Sequence, residues 1–304
     1  MNLNRSMMTS AFCPAHITGF FKAELDEKDP NCLGSLGAGF SIQKGVKTTV
    51  ILSSRNPSDT AKFHIQIKGF KTGDVRVSEY VLNEFLAGND NYFVDVTHEL
   101  DVPVGYGLGC SAAVALSLAL ALNQALNSGF SKTKVGQIAH LAEIKCQTGL
   151  GDVIGSYHGG FEIRIKSGAP GIGQLQKIKP KEKLDVVLIC FNPISTKKFL
   201  KEKISLVNGL GGKMVQELIK TQDMNEFQDK SIEFAQYIKI ITPKMNKVVS
   251  ELHKNGIKCG VALFGETLFS LIPSHNKQKV LQILKKYDGH VISSRIDNSG
   301  ARLN

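Results

Sequence analysis

Read as a pattern of apolar and polar positions, the chain opens with strand-like runs. Phe12–Phe21 and Gly45–Ser53 carry many apolar residues. In Lys62–Lys68, Phe63, Ile65 and Ile67 alternate with polar partners, the period of two expected of a half-buried strand. The segment 53–59, Ser-Ser-Arg-Asn-Pro-Ser-Asp, has turn chemistry throughout. A short helix is predicted over Ser78–Phe85 and a strand over Tyr92–Thr97. Helices over Ser111–Leu126 and Lys132–Cys146 precede a strand at Gly160–Lys166. Further on, the apolar run Val186–Phe191 reads as a central strand. Two or three helices follow between Lys197 and Lys239, and Pro243 opens another that runs to Lys254. Strands are predicted at Lys258–Leu263 and Thr267–Ile272. A helix carrying the stripe Val280, Leu281, Ile283, Leu284 and Tyr287 comes next, then a strand at Val291–Ile296. This β-α-β-β-α-β order, with extra helices after its first strand, predicts a ferredoxin-like half. A boundary near residues 170–184 divides the 304 residues into two units, 1–175 and 176–304.

Apolar residues at 42% and charged residues at 21% exclude a disordered or fibrous chain. The longest apolar run, Ala112–Leu122, is broken only by Ser117 and falls short of the roughly 20 residues a bilayer span needs, so it reads as a buried helix. The opening MNLNRSMMTS is too polar for a secretory leader, and a cytoplasmic protein without a membrane partner is expected. With 37 basic against 27 acidic residues the formal charge is +10, which suits an enzyme of anionic substrates or a nucleic-acid binder. The densest basic run, Lys177–Lys183, has no interleaved aromatics to stack bases and reads as a solvated connector, so nucleic acid is not expected. The 6 cysteines form no C-x-x-C pair, which leaves a zinc ribbon unsupported and free thiols as the default. The 29 glycines gather in short stretches, pointing to binding loops built from backbone.

One stretch carries specific chemistry: Pro103-Val-Gly-Tyr-Gly-Leu-Gly-Cys-Ser-Ala-Ala113, leading straight into an Ala/Leu-rich helix. Gly105, Gly107 and Gly109, around Leu108, let backbone approach a ligand closely, and Cys110, Ser111, Ala112 and Ala113 begin the helix. The unpaired N–H groups and positive dipole end of that helix suit a polyphosphate. The Walker pattern is absent from the chain. Gly107–Ala112 does match the dinucleotide fingerprint G-x-G-x-x-A. That fingerprint needs a strand directly before it and another after its helix, whereas Pro103 breaks the approach and a second helix follows.

The same stretch resembles the signature P-x-x-x-G-L-G-S-S-A-A of the GHMP kinases, the family of galactokinase, homoserine kinase, mevalonate kinase and phosphomevalonate kinase. The one departure is Cys110 at the first serine. The resemblance implies an α/β (α+β) fold of two domains: an N-terminal two-layer nucleotide-binding half, 1–175, and a ferredoxin-like half, 176–304. It implies ATP held by Pro103, Gly105, Gly107, Leu108, Gly109, Cys110, Ser111, Ala112 and Ala113, and Mg2+ held by Ser111 and Glu143. Thr148-Gly-Leu-Gly-Asp152 with Gly159-Gly160 resembles the family's second segment, which implies that Asp152 is catalytic. The third segment, Cys259–Thr267, keeps only Gly260 and Gly265 of the usual glycines, which puts its contact with substrate in question.

Phe12-Cys-Pro-Ala-His-Ile-Thr-Gly-Phe-Phe21 places His16 where mevalonate-type members carry a lysine. With Gly34-Ser-Leu-Gly-Ala-Gly39, it is similar to the archaeal pantoate kinase branch. That similarity implies pantoate as the small-molecule acceptor, phosphorylated to 4-phosphopantoate for coenzyme A biosynthesis, with His16 and Thr18 binding it. A carboxylate on the acceptor calls for a cation, for which Arg55, Arg164 and Arg295 are candidates. Cys13, Cys110 and Cys259 each fall in a signature segment; if these converge, thiol reagents should inactivate the protein and ATP should protect it. Mevalonate, homoserine and shikimate remain alternative acceptors, and a non-catalytic anion or nucleic-acid binder remains the alternative class. A homodimer is the base-rate assembly.

Overall fold

The computed structural model describes residues 7–56, 60–70, 72–180 and 182–304. Residues 57–59 of the turn read at 53–59, Lys181 of the basic connector and the first six residues of the polar opening segment lie outside the described residues.

The chain starts with a long antiparallel pair, β1 (Met7–Glu24) and β2 (Gly34–Ser54), in register from Met7 opposite Leu52 to Glu24 opposite Gly34. The register shifts between Pro14 and Ala15 and again between Thr18 and Phe20, so the stretch carrying His16 is bracketed by two bulges that re-aim its side chains. From Cys13 to Phe21 every residue of β1 is buried. The helices described next cover both of its faces, which is why this strand reads as an apolar run instead of alternating. Then come β3 (Phe63–Gly69), α1 (Arg76–Leu86) and β4 (Tyr92–Leu100), with β4 antiparallel to β2 and parallel to β3.

Next in the chain are α2 (Cys110–Ala125), α3 (Lys132–Cys146) and the short α4 (Asp152–His158). Nearly all of α2 is buried, as suits a helix that is apolar on all sides. The strand β5 (Phe161–Lys166) pairs with the Gly37–Phe40 part of β2, and β6 (Gln174–Ile178) lies outside it.

The second sheet begins with β7 (Leu184–Pro193). It is followed by α5 (Thr196–Thr221), α6 (Met224–Tyr237), α7 (Pro243–Lys254), β8 (Gly260–Ala262), β9 (Gly265–Pro273), α8 (Lys277–Leu284) and β10 (His290–Arg295). Its strand order is β10-β7-β9-β8, with every neighbour antiparallel, which is the ferredoxin-like arrangement expected from the element order. A final β11 (Arg302–Leu303) returns to the first sheet beside β1. The α/β class of the sequence reading is therefore the observed one.

The two sheets share a core. Phe227 of α6 meets Phe161 of β5 edge to face at 4.7 Å, and Phe269 of β9 meets Phe40 of β2 at 5.1 Å. Among the described residues no helix is long and apolar enough to cross a membrane.

Four elements differ from the sequence reading. β2 begins at Gly34, where Gly45 was expected, so the glycine-rich stretch 34–39 is strand and not a binding loop. Asp152 opens a helix, α4, where a loop was read. β6 and β11 were not expected; both are short, and β11 is exposed.

Candidate active site

The loop 101–109 is held by partners from three other segments. Ile194 donates its N–H to Gly105 O (2.8 Å), the Thr267 hydroxyl donates to Tyr106 O (2.8 Å), and His16 donates its N–H to Leu108 O (3.1 Å). Gly107 (φ 74°) lies against the second half: a Cβ there would stand 2.0 Å from Leu263 O, so both its left-handed backbone and its lack of a side chain are required. Gly109 caps α2 in the left-handed conformation, and no side chain caps this helix end. The first-turn N–H groups are left for a ligand, the arrangement that favours an anion.

The loop forms one wall of a cleft of about 240 Å³. Gly105, Gly107, Leu108, Gly109, Cys110 and Ser111 line it, together with Thr18 and Asp152, and it extends over the apolar surface of Ile67, Val77, Leu100 and Val114. Pro103, Ala112 and Ala113 are buried behind this wall; they shape the loop and the helix and are not among the lining residues. Leu263 and Phe264 do line the cleft, so the degenerate third segment contributes to it after all.

Asp152 stands at the start of α4, close to the loop. A Cβ on Gly109 would lie 3.3 Å from Asp152 Cβ. Behind Asp152 is a closed ring of polar contacts. His16 Nδ1 is 2.8 Å from Asp152 Oδ1, and His16 Nε2 is 2.8 Å from Glu162 Oε1. Arg164 donates from Nη1 to Glu162 Oε1 (2.7 Å) and from Nη2 to Thr18 Oγ1 (3.2 Å), and Thr18 donates to Asp152 Oδ1 at 3.5 Å. The side chains of His16 and Glu162 are 0% exposed and that of Arg164 is 1%, whereas Asp152 retains 15%.

Burial by itself would lower the His16 pKa. The charge of Glu162 and the hydrogen bonds to Asp152 and Glu162 lift it instead to about 9. Burial likewise works to raise the Asp152 carboxyl, but His16, through hydrogen bond and charge, with Arg164 and Thr18, outweighs it and holds this acid below its ordinary value. His16 therefore does not present itself to an acceptor as expected. With no exposed surface and both nitrogens engaged, it holds Asp152, while Thr18 reaches the cleft.

On α3, Glu143 is buried and its Oε1 accepts the Thr148 hydroxyl at 2.5 Å, while Oε2 has no partner. Burial pushes its carboxyl up to about 7, with the nearby Thr148 and Ser111 hydroxyls opposing the rise and the Asp152 charge adding to it. Gly149 borders the free oxygens of both acids: a Cβ there would meet Glu143 Oε2 at 2.0 Å and Asp152 Oδ2 at 3.3 Å. Among the described residues no group of three or more His, Cys, Asp or Glu side chains is arranged to hold a metal. An unpartnered carboxylate oxygen beside a serine hydroxyl nevertheless fits Mg2+, which takes one or two protein oxygens and completes its shell with phosphate and water.

Of the three arginines considered, Arg164 alone belongs to this site. Arg295 lies near Asp185 on the second sheet, and Arg55 near Asp90. The cysteines do not converge: Cys13 and Cys110 lie in the first core and Cys259 in the separate core beneath the second sheet. Burial pushes the Cys110 and Cys259 thiols up to about 12 and Cys13 higher still, so these are packing groups and poor nucleophiles.

The sequence reading missed Glu162. The alternation in Phe161-Glu-Ile-Arg-Ile-Lys166 was a usable signal, because it puts Glu162 and Arg164 on one face. Such a face usually meets solvent, yet here it is as buried as the one carrying Phe161 and Ile163.

Residues 75–160 match the family description "GHMP kinases N terminal domain". The chain is 33% identical over 283 residues to the pantoate kinase of Thermococcus kodakarensis, covering 91% of this chain and 92% of that one. The chain belongs to the GHMP kinase family, and its pantoate kinase relatives make it an ATP-dependent phosphotransferase acting on a hydroxyl group. Within it the pantoate kinases are the particular relatives: that of Methanocaldococcus jannaschii is also 33% identical, over 90% of this chain and 96% of its own. A solved structure described as a phosphotransferase related to the CoA biosynthesis pathway superposes with a TM-score of 0.89 at 28% identity, covering 98% of this chain and 99% of that one. The homoserine kinase of Cytophaga hutchinsonii shares the fold, with a TM-score of 0.69 at 18% identity over 98% of this chain and 97% of its own.

Proposed function

We propose that this chain phosphorylates pantoate at its terminal hydroxyl, giving 4-phosphopantoate and ADP, as a step of coenzyme A biosynthesis. The observation that carries the reading is the juxtaposition across Gly109, where an uncapped helix end suited to phosphate and the carboxylate of Asp152 share one cleft. Full-length similarity to archaeal pantoate kinases supports the choice of acceptor.

In this reading the loop amides and the start of α2 bind the phosphates, with Gly105, Gly107 and Gly109 allowing the close approach. Ser111 and Glu143 Oε2 would hold magnesium, which neutralises phosphate charge when bound. Asp152 Oδ1 is occupied by His16 and Thr18, so Oδ2 orients the acceptor hydroxyl. The hydroxyl oxygen forms the new bond to phosphorus, the bond from phosphorus to the bridging oxygen breaks, and Asp152 accepts the proton as that bond forms. A carboxylate held below its ordinary value is a weak base. Orientation and a late proton transfer therefore suit it better than prior deprotonation, in keeping with a reaction that depends on positioning.

The acceptor carboxylate would meet Arg164, whose Nε is buried without a partner. A Cβ on Gly151 would lie 2.8 Å from that nitrogen and 2.5 Å from Ser35 Oγ, so glycine is what lets the guanidinium and Ser35 lie against the backbone at the start of α4. The cytoplasm, where ATP is plentiful, is the compartment this reading assigns.

The test is ATP- and magnesium-dependent ADP release with pantoate, mevalonate, homoserine and shikimate in parallel. Turnover with pantoate alone is expected. Turnover with another acceptor and none with pantoate would overturn the substrate while leaving the cleft chemistry in place.

A further inference from the structure

Glu162 lies on β5, outside the glycine loop, and has no surface from which to touch either substrate. Its Oε1 nevertheless takes two donors, His16 Nε2 at 2.8 Å and Arg164 Nη1 at 2.7 Å. A neutral imidazole has one N–H and can donate to one carboxylate only. Both ring nitrogens of His16 face carboxylate oxygens, and the oxygen at Nε2 is already accepting from a guanidinium. The arrangement is satisfied when His16 carries both protons. The ring then holds two carboxylates, Asp152 and Glu162, and two cations, His16 and Arg164, and is neutral as a whole. A buried cluster of that composition avoids the penalty of an unpaired internal charge.

The backbone around the ring is shaped to admit it. A Cβ on Gly39 would lie 2.8 Å from the His16 ring, and one on Gly155 would lie 2.4 Å from Nε2. A Cβ on Gly37 would lie 2.5 Å from Arg164 Nη2. The imidazole therefore lies against backbone at both glycines, and its remaining freedom is rotation about its own bonds. Glu162 removes that freedom by fixing the far nitrogen.

We propose that Glu162 is a positioning residue for phosphoryl transfer: acting through His16, it locks the imidazolium that occupies Asp152 Oδ1 and so leaves Oδ2 turned to the acceptor. The inference rests on the kinase reading above. It adds to that reading a carboxylate that meets neither substrate yet sets the turnover number.

Glu162→Gln is the variant of choice. Its amide oxygen still accepts at Oε1, and its amide nitrogen takes the place of Oε2, which has no partner. The shape is kept while the charge that demands a doubly protonated His16 is lost. The expected result is a fall in kcat of about 10–100-fold, the size typical of losing a partner that orients a functional group, with KM for ATP unchanged. Because Glu162 acts through His16, the double variant with His16→Asn should be no slower than His16→Asn alone. An unchanged kcat in Glu162→Gln, or losses that multiply in the double variant, would overturn the proposal.

A second measurement needs neither a variant at Glu162 nor a substrate. In the full chain labelled with 15N-histidine, the resonances that His16→Asn removes should show two protonated ring nitrogens at pH 8. A single protonated nitrogen there would also overturn it. Kinetics are read with whichever alcohol is turned over. Loss of pantoate as acceptor thus leaves this proposal standing or falling on its own, while absence of turnover with every alcohol ends both.

Discussion

Replacing Gly155 by alanine sets local helix preference against tertiary packing. Gly155 lies inside α4, where alanine is favoured over glycine by about 1 kcal/mol. Viewed along the chain, the substitution should stabilise. In the folded protein the new Cβ would stand 2.4 Å from His16 Nε2 and 2.5 Å from Cδ2, well inside contact distance. Gly39 also lies against the ring, a Cβ there standing 2.8 Å from it, which leaves the imidazole little room to shift. The imidazole must swing out of line with Glu162, which gives up a hydrogen bond between charged groups worth about 1.5–3 kcal/mol. Displacing packed neighbours adds strain of about 1–3 kcal/mol. Set against the helix gain, the net loss is about 1.5–5 kcal/mol, or about 2–8 °C in Tm for a chain of 304 residues. Because the same displacement frees Asp152, kcat should fall at least about 10-fold. Thermal unfolding followed by circular dichroism at a fixed scan rate, with steady-state ADP release on the same preparation, measures both. A Tm equal to or above that of the parent, with kcat intact, would refute the glycine contact and the ring together.

Asp152→Asn should lower kcat by about 10²–10⁴-fold while nucleotide affinity, measured by calorimetry, is retained; undiminished turnover would remove Asp152 from the chemistry. Glu143, whose carboxyl is lifted from an ordinary value near 4.3 to about 7, has a definite linkage sign. In the metal-free protein its contribution to stability is fully present below about pH 4.3 and is lost as pH rises through about 7. Urea midpoints of the parent should therefore decline relative to Glu143→Gln across that range, and a constant difference would count against a buried carboxyl of raised pKa. Native thiol titration should reach the partly exposed Cys32 and Cys146 well before the buried Cys13, Cys110, Cys190 and Cys259, with all six reacting in denaturant. Rapid labelling of Cys110 prevented by ATP would instead restore the clustering that the sequence suggested.

Much of the cleft was legible because it is contiguous. The glycine loop and its helix occupy residues 103–125, so spacing, glycines and helix start could all be read in one pass. Asp152 and Glu143 were reached only through the family resemblance of the segments around them. The ferredoxin-like half followed from the order of periodic segments, since each strand and helix there writes its own apolar pattern. The Gly34–Gly39 stretch was not legible as strand. Gly37 and Gly39 answer to the bulk of Arg164 and His16 on neighbouring strands, a demand that no local propensity expresses.

By itself, then, the sequence determined most of the elements and the glycine loop, because backbone preference and amphipathic period are properties of neighbours in the chain, while Asp152 came with the family resemblance. Only the tertiary structure decided what His16 does. Its partners Asp152 and Glu162 stand 136 and 146 residues away in sequence and 2.8 Å away in space. A buried charge is governed by the second distance, through Coulomb attraction and the loss of water, and no spacing along the chain records it.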